Sequence, residues 1–347
     1  MEEGVFSSKP KEGEPWDVII IGSGPASLTA AIYTTRGALS TLILGGEKWG
    51  GQLMLTTAVD NFPALPGIQG PELMQKMRDH AVSFGAEFFE KNVDRVDFSR
   101  LPFEVFSGSE RFISKTVIIA SGAQTKWLDV PGGRELIGRG VSSCAPCDAP
   151  FYKGKRTFVV GGGDSAMEEA VILTKYASIV TMVHRRNEFR ASQAMQKKVF
   201  GNKKIKVIWD TEVTEVLGKG KVEMLKFKTS LSGEQYQALR KGGFDNLMGK
   251  SLEEKDGYLY WIAPADGIFV AIGHSPSTEI FQNQVGLDEK GYVLKVPESG
   301  YEMGTSVKGI FVAGDVHDHH YKQAITAAGY GCMAAIDTLK YLESINQ

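Results

Sequence analysis

Two stretches of the chain share one pattern, and together they leave few folds open. The first is 17-DVIIIGSGPASLTAAIY-33 and the second is 156-RTFVVGGGDSAMEEAVIL-173. Each begins with a short apolar run, Asp17 to Ile21 and Thr157 to Val160, the pattern of a strand buried in a parallel sheet. Each run breaks at glycine, passes through a small-residue turn and enters a helix. Gly22 permits the tight turn, Gly24 lets backbone approach a pyrophosphate, and Ser27 stands at the third small position. Gly161, Gly163 and Ala166 fill the same places in the second copy. Pro25 suits a first helical position, where its missing N–H has no partner to lose. The free N–H groups of each helix start then face a phosphate. One such match is weak; two at strand-to-helix junctions support each other. The reading is an α/β chain with two Rossmann-like (FAD/NAD(P)-binding), three-layer dinucleotide-binding domains.

The ends of the second strands separate the two sites. This fold usually carries an acid about 20 residues beyond the glycines to hold a ribose hydroxyl. In the second copy that region reads 180-VTMVHRRNEFRAS-192, with His184, Arg185, Arg186 and Arg190 in place of an acid. Guanidinium groups match phosphate oxygens in pairs, so the site reads as one for a 2′-phosphate, hence NADPH. The plain reading is a solvated basic helix start. In the first copy, 41-TLILGGEKWGGQL-53 puts Gly45 where the acid belongs, and Glu47 follows slightly late. No arginine is there, which argues against a 2′-phosphate.

Length and composition set the outer limits. A chain of 347 residues exceeds one ordinary core. With 42% apolar and 23% charged residues it has a globular composition. A net charge of −2 gives no field for nucleic acid or an anionic membrane. No apolar run approaches the roughly 20 residues a membrane helix needs. Residues 1–15 read as a loose polar tail without a signal-peptide core. Three cysteines are too few for a disulfide scaffold and favour a reducing, cytoplasmic setting.

Two of those cysteines form 142-SSCAPCDAP-150. Half a metal site, a structural disulfide and a redox pair are the three readings. Zinc needs four ligands, and only the polar loop 317-HDHH-320 offers more, so the reading is no metal. Cys332 reads as a packed core thiol. Cys-x-x-Cys beside a dinucleotide unit favours the redox pair, with Asp148 placed either to move a proton or to cap a helix. Nicotinamide delivers hydride and a disulfide takes two electrons; a flavin commonly joins them. The first glycine turn is the flavin's site, and 308-KGIFVAGDV-316 adds an acid, Asp315, at a strand end beside Gly314.

At this point the chain resembles the low-molecular-weight thioredoxin reductases of the flavoprotein disulfide reductase superfamily. The resemblance runs from about Trp16 to Leu342. It is carried by GSGPAS (22–27), GGQL (50–53), VDNFP (59–63), GPELM (70–74), ASGA (120–123), CAPCD (144–148), GGGDSAMEEA (161–170), HRRNEFRAS (184–192), AIGHSPST (271–278), FVAGD (311–315) and QAITAAGYGCMAA (323–335). It implies that Cys147 faces the flavin, that Cys144 attacks the partner's disulfide, and that Asp148 is the acid/base. It implies FAD contacts from Gly22, Ser23, Gly24, Pro25, Ala26, Glu47, Gly51, Gln52, Leu53, Asn61, Ala120, Gly122, Gly314, Asp315, Gln323, Ala324 and Ile325. It implies NADPH contacts from Gly161, Gly163, Asp164, Ser165, His184, Arg185, Arg186 and Arg190. A thioredoxin-like protein is the implied substrate and a homodimer the implied assembly.

Five positions depart from that pattern. Pro146 stands where Thr or Val is common, Ala149-Pro150 where Gly-Ala is, Gly45 where a glutamate is, and Lys322 where an arginine is. Motif order makes the FAD domain discontinuous, over 16–123 and 275–347, around an NADPH domain at 124–274 that carries both cysteines. Ala120–Ala123 and Ala271–His274 are the crossings. One flavin then has to meet both nicotinamide and the cysteine pair, so the inner domain is expected to turn on its two linkers. The stretch 229–261 reads as a polar surface excursion with a short helix from Glu234 to Arg240. A dithiol oxidase or a reductase with another partner keeps the same residues; a zinc-linked scaffold would be colourless and hold metal.

Overall fold

The computed structural model describes residues 6, 8–56, 58–240, 252–297 and 300–345. The chain forms two compact units, 1–124 with 275–347, and 125–274. Each contains one of the glycine turns.

In the first unit the apolar run becomes the strand Trp16–Ile21. It lies parallel to Thr41–Leu44 on one side and to Glu110–Ile119 on the other, with Ile21 opposite Leu44 and Ile119. Glu87–Phe89 continues the sheet beyond Thr41–Leu44. The other edge of Glu110–Ile119 takes two partners. Phe103–Ser107 pairs antiparallel with its first half, and Ile310–Val312 pairs parallel with its last three residues. That last pairing returns the C-terminal segment to the sheet that the N-terminal segment began. Val18, Ile19, Ile20, Ile118 and Val312 are wholly buried, which explains the unbroken apolar runs. Helices Pro25–Arg36 and Ala324–Ile345 pack on this core.

The second unit has a five-stranded parallel sheet in the order Val141–Ser142, Gly267–Val270, Arg156–Val160, Ile179–Val183, Ile205–Ile208. One face carries the helices Asp164–Leu173 and Gln193–Phe200, through Val159, Val180, Met182, Met167 and Leu173. The other face carries a four-stranded antiparallel sheet through Phe158, Ile268, Phe227 and Trp261. The result is three layers. Trp261 stacks on Phe227 at 4.4 Å, and its indole N–H donates to Thr229 Oγ1 at 2.9 Å.

Two sequence expectations change. The stretch 229–261 is not only a surface excursion. It begins inside the strand Met224–Ser230 and ends inside Tyr258–Pro264, with Leu252–Lys255 pairing at the edge. Leu259, Trp261 and Ala263 alternate inward, a period of two that the flanking glycines and charges mask in the sequence. The short helix Glu234–Arg240 is present; residues 241–251 lie outside the described residues. The proposed tail is also tethered in part: Phe6 meets Phe84 edge-on at 4.9 Å and Lys9 pairs with Glu87 at 2.9 Å. Residues 1–5 and Ser7 lie outside the described residues.

Trp261 is 1% exposed and joins the two sheets of its unit. Trp261→Ala should therefore cost about 3–5 kcal/mol, read as a shift of the urea midpoint with an unchanged m-value.

Candidate functional site

Each turn is shaped by a contact that only glycine allows. Gly22 has φ of +125°, and a Cβ there would lie 2.1 Å from the carbonyl oxygen of Ala120. Gly161 repeats this, with φ of +157° and a Cβ position 2.4 Å from the carbonyl of Ala271. Both turns thus pass directly over the end of the neighbouring strand.

The second glycine of each motif has a different explanation. Gly24 (φ −77°) and Gly163 (φ −100°) lie in extended backbone that any residue adopts. A Cβ at either would meet no protein atom within 4 Å. Neither helix start receives a side-chain cap. Neither backbone strain nor protein packing requires glycine there, so the open space and the uncapped N–H groups fit a phosphate-bearing ligand.

Around the first turn, Ser23 Oγ donates to the Gly45 carbonyl at 2.6 Å and accepts from the Gly50 N–H at 2.9 Å. This ties the segment carrying Gly51, Gln52 and Leu53, the 3-10 turn Gly51–Leu55, to the glycine loop. A Cβ on Gly45 would meet the Phe88 ring at 2.5 Å, so the missing acid is excluded by packing. That ring is covered by Arg78, whose guanidinium sits 4.0 Å above it and 4.6 Å from Trp49. Glu47 is exposed, and its N–H donates to Asn92 Oδ1 at 3.1 Å. Pro25 and Ala26 open the helix as expected. Gly314 backs onto Ala26, where its Cβ would come within 2.9 Å, which brings the Gly314–Val316 turn to the first motif. Burial, reinforced by the charge of Asp318, pushes the Asp315 carboxyl up to about 6.

Asn61 and Gln323, 262 residues apart, meet directly: Asn61 Nδ2 donates to Gln323 Oε1 at 3.1 Å. Gln323 precedes the helix Ala324–Ile345, whose first two residues, Ala324 and Ile325, are part-exposed and exposed. Ala120 is buried, and Gly122 adopts φ of +71° at the crossing.

The 317–320 run is more than a polar loop. The buried Asp318 carboxylate accepts from the N–H groups of His320, Tyr321 and Lys322 at 2.8–3.0 Å, turning the chain toward Gln323. His317 is buried against Tyr330, and burial depresses its imidazole to about 4. His319 pairs with Asp288 at 2.9 Å. No metal cluster is found among the described residues. Cys332 is part-exposed rather than a core thiol, because its helix turns that position toward Tyr33 and the surface.

In the second unit Arg185, Arg186 and Arg190 are exposed just past the strand Ile179–Val183. Arg190 N–H donates to the Gly162 carbonyl at 2.9 Å. Asp164 Oδ1 accepts from Ser192 N–H at 3.0 Å and from its hydroxyl at 2.7 Å, so the arginine loop is tied to the helix start. Ser165 is exposed beside it. His184 differs from the arginines: it is 7% exposed and its ring fills the space over Gly162. Its Nε2 has no partner among the described residues, and burial, then the arginine charges, hold the imidazole below its usual range.

Cys144 and Cys147 are joined as a disulfide, with Cα atoms 5.3 Å apart. Both are part-exposed, and the exposed Pro146 lies between them. The short helix Ala145–Asp148 holds them. Asp148 makes no side-chain cap to the following turn Ala149–Tyr152, and its charge adds to the burial that raises Tyr152 and Glu169. Glu169 and Asp318 are the residues that sequence reading passed over. Glu169 is the second glutamate of the GGGDSAMEEA stretch, and nothing local separates it from its exposed neighbour Glu168.

Gly24→Ala and Gly163→Ala should keep stability or gain about 0.4–1 kcal/mol, while binding of a flavin and of a pyridine nucleotide, respectively, falls. Gly22→Ala should instead destabilise. Thermal unfolding of the apo-protein and flavin absorbance of the purified protein separate the two effects.

Comparison with known proteins agrees with this geometry. The pyridine nucleotide-disulphide oxidoreductase family profile matches residues 16–331. The thioredoxin reductase of Rickettsia felis is 43% identical over 327 residues, 94% of this chain and 97% of that one. That of Mycolicibacterium smegmatis is 43% identical over 94% of this chain and 96% of its own. The solved thioredoxin reductase of Giardia duodenalis superposes with a TM-score of 0.83 at 39% identity, covering 95% of this chain and 99% of that one. The chain belongs to the pyridine nucleotide-disulphide oxidoreductase family, on the branch of the low-molecular-weight thioredoxin reductases.

Proposed function

We propose that this chain is an NADPH-dependent, FAD-containing thioredoxin reductase whose working disulfide is Cys144–Cys147. The observation that carries the reading is a part-exposed Cys-x-x-Cys disulfide in the same unit as an arginine-flanked dinucleotide turn, in a chain 43% identical to thioredoxin reductases.

Residues 16–123 and 275–347 form the FAD domain and 124–274 the NADPH domain. The Gly22–Ala26 turn holds the FAD pyrophosphate, and Ser23 keeps Gly45 and Gly51–Leu53 around it. Asp315, at the end of Ile310–Val312, faces the ribityl and phosphate region. The Asn61–Gln323 pair, with Gln52, Ala324 and Ile325, lies in the flavin's neighbourhood. Because Phe88 excludes a side chain at position 45, the adenosine end relies on Glu47 and backbone groups. Arg185, Arg186 and Arg190 hold the 2′-phosphate of NADPH. The buried His184 ring packs against Gly162, and Asp164 braces the arginine loop. When bound, the flavin supplies a two-electron relay between the nicotinamide and the sulfur pair.

The protein's own thiols carry the last step. With the pair reduced, the Cys144 thiolate attacks one sulfur of the partner's disulfide and forms a mixed disulfide, and the other partner sulfur leaves as a thiolate. Cys147 then attacks Cys144 Sγ, which restores the Cys144–Cys147 bond and frees the partner as a dithiol. Asp148 moves the proton between the thiols and solvent.

The helix Ala324–Ile345 exposes Ile325, Met333 and Ile336, spaced along one face. This stripe supports a homodimer, since apolar side chains at helical spacing are the usual seam. Among the described residues no helix is long and apolar enough to cross a membrane. A redox pair that cycles fits a reducing, cytoplasmic compartment.

Anaerobic NADPH should bleach the yellow protein, and oxidised thioredoxin should restore the colour. Cys147→Ser should keep flavin but abolish transfer to thioredoxin. Steady oxygen uptake without thioredoxin would instead identify a dithiol oxidase. Replacing Arg185 and Arg186 by Ala should raise KM for NADPH far more than for NADH; equal changes would count against the 2′-phosphate assignment.

A further inference from the structure

The backbone N–H groups of the cysteine segment can be followed one by one. Cys144 N–H donates to Ser142 Oγ at 3.1 Å. Pro146 has none. Cys147 and Asp148 N–H both donate to the Cys144 carbonyl, at 3.2 and 3.0 Å. That leaves Ala145, the wholly buried first residue of the short helix, and its N–H donates to Glu169 Oε2 at 2.6 Å.

A neutral side chain would accept that bond as well as a carboxyl does. A carboxyl is the costly choice in this position, because it is largely removed from water. The charges acting on it, from Asp148 on the short helix and Glu168 on its own helix, are both negative. Tyr152, on the turn that follows, shares the field of Asp148. Burial foremost, opposed by the bond from Ala145 N–H and reinforced by those charges, raises the Glu169 carboxyl to about 8. The group is therefore protonated at neutral pH and ionises in the range where thiols do.

We propose that Glu169 is a positioning residue for the redox pair: its carboxyl holds the start of the cysteine helix through Ala145, and its proton governs how readily the reduced thiols ionise. Neutral Glu169 adds no charge beside the cysteine helix and does not oppose a thiolate there. Ionised Glu169 repels the thiolate, so the two negative charges oppose each other. The inference rests on the redox role of Cys144–Cys147 but needs neither NADPH nor thioredoxin for its test.

The test uses purified holoenzyme reduced with dithiothreitol and desalted without oxygen. Iodoacetamide alkylation of Cys144 and Cys147 is followed by mass spectrometry from pH 6 to 9.5. The wild-type rate should depart from a single titration near pH 8. Glu169→Gln keeps an acceptor for Ala145 but cannot ionise, so it should give one titration and react up to about tenfold faster above pH 8. Glu169→Leu removes the acceptor and should shift the thiol–disulfide equilibrium against glutathione by about tenfold, whereas Glu169→Gln should shift it much less. Superimposable alkylation profiles for wild type and Glu169→Gln would overturn the proton role. An unchanged glutathione equilibrium in Glu169→Leu would overturn the positioning role. If Glu169→Leu does not fold, the Glu169→Gln profile still decides. Should thioredoxin prove not to be the substrate while these profiles hold, the partner assignment fails and the Glu169 inference stands.

Discussion

Both halves of this protein depend on a backbone contact too close for any side chain. Gly22 lies against the Ala120 carbonyl and Gly161 against the Ala271 carbonyl. The cause is the parallel register. Ile21 sits opposite Ile119 and Val160 opposite Val270, so the chain leaving each first strand must cross the end of its neighbour at once. A side chain at either glycine would lift the turn and swing the helix start away from the strand ends. The uncapped N–H groups at Gly24 and Gly163 are where they are because this crossing is tight.

Around those fixed turns, short polar contacts bring distant segments together. Ser23 gathers the end of the second strand and the Gly50–Gly51 segment. Asp164 and Ser192 join the arginine loop to the start of the helix Asp164–Leu173. Asp318 turns the chain so that Gln323 reaches Asn61. Each is a side chain satisfying backbone N–H or C=O groups that the turn geometry leaves without partners, so each can be placed by counting those groups. The same count identifies Glu169 at the cysteine helix, with Ser142 and the Cys144 carbonyl taking the other donors.

Much of this was legible residue by residue. The apolar runs before Gly22 and Gly161 marked buried parallel strands, and the strands Trp16–Ile21 and Arg156–Val160 occupy them. The short helix Glu234–Arg240 was visible in its composition. The inward alternation of Leu259, Trp261 and Ala263 was not, because a half-buried strand bordered by glycine and charge resembles a loop until its partner strand is known. The 317–320 run is the polar loop its sequence suggested, but Asp318 and His317 are polar groups used inside, which polarity alone does not show. His184 is set apart from the exposed arginines, because its ring is buried against Gly162, which the run of basic residues does not reveal.

By itself the sequence determined the two turn-and-helix units, their order, the arginine set and the spacing of the cysteines. These are local properties, set by backbone freedom and side-chain chemistry within a few residues. Tertiary structure alone decided which distant groups meet: Phe88 with Gly45, Asn61 with Gln323, Gly314 with Ala26, Glu169 with Ala145. Those pairings follow from sheet order and helix packing. Glu168 and Glu169 stand side by side in the sequence with the same chemistry, yet only the rotation of their helix turns one to solvent and draws the other, half-buried, to the N–H of Ala145.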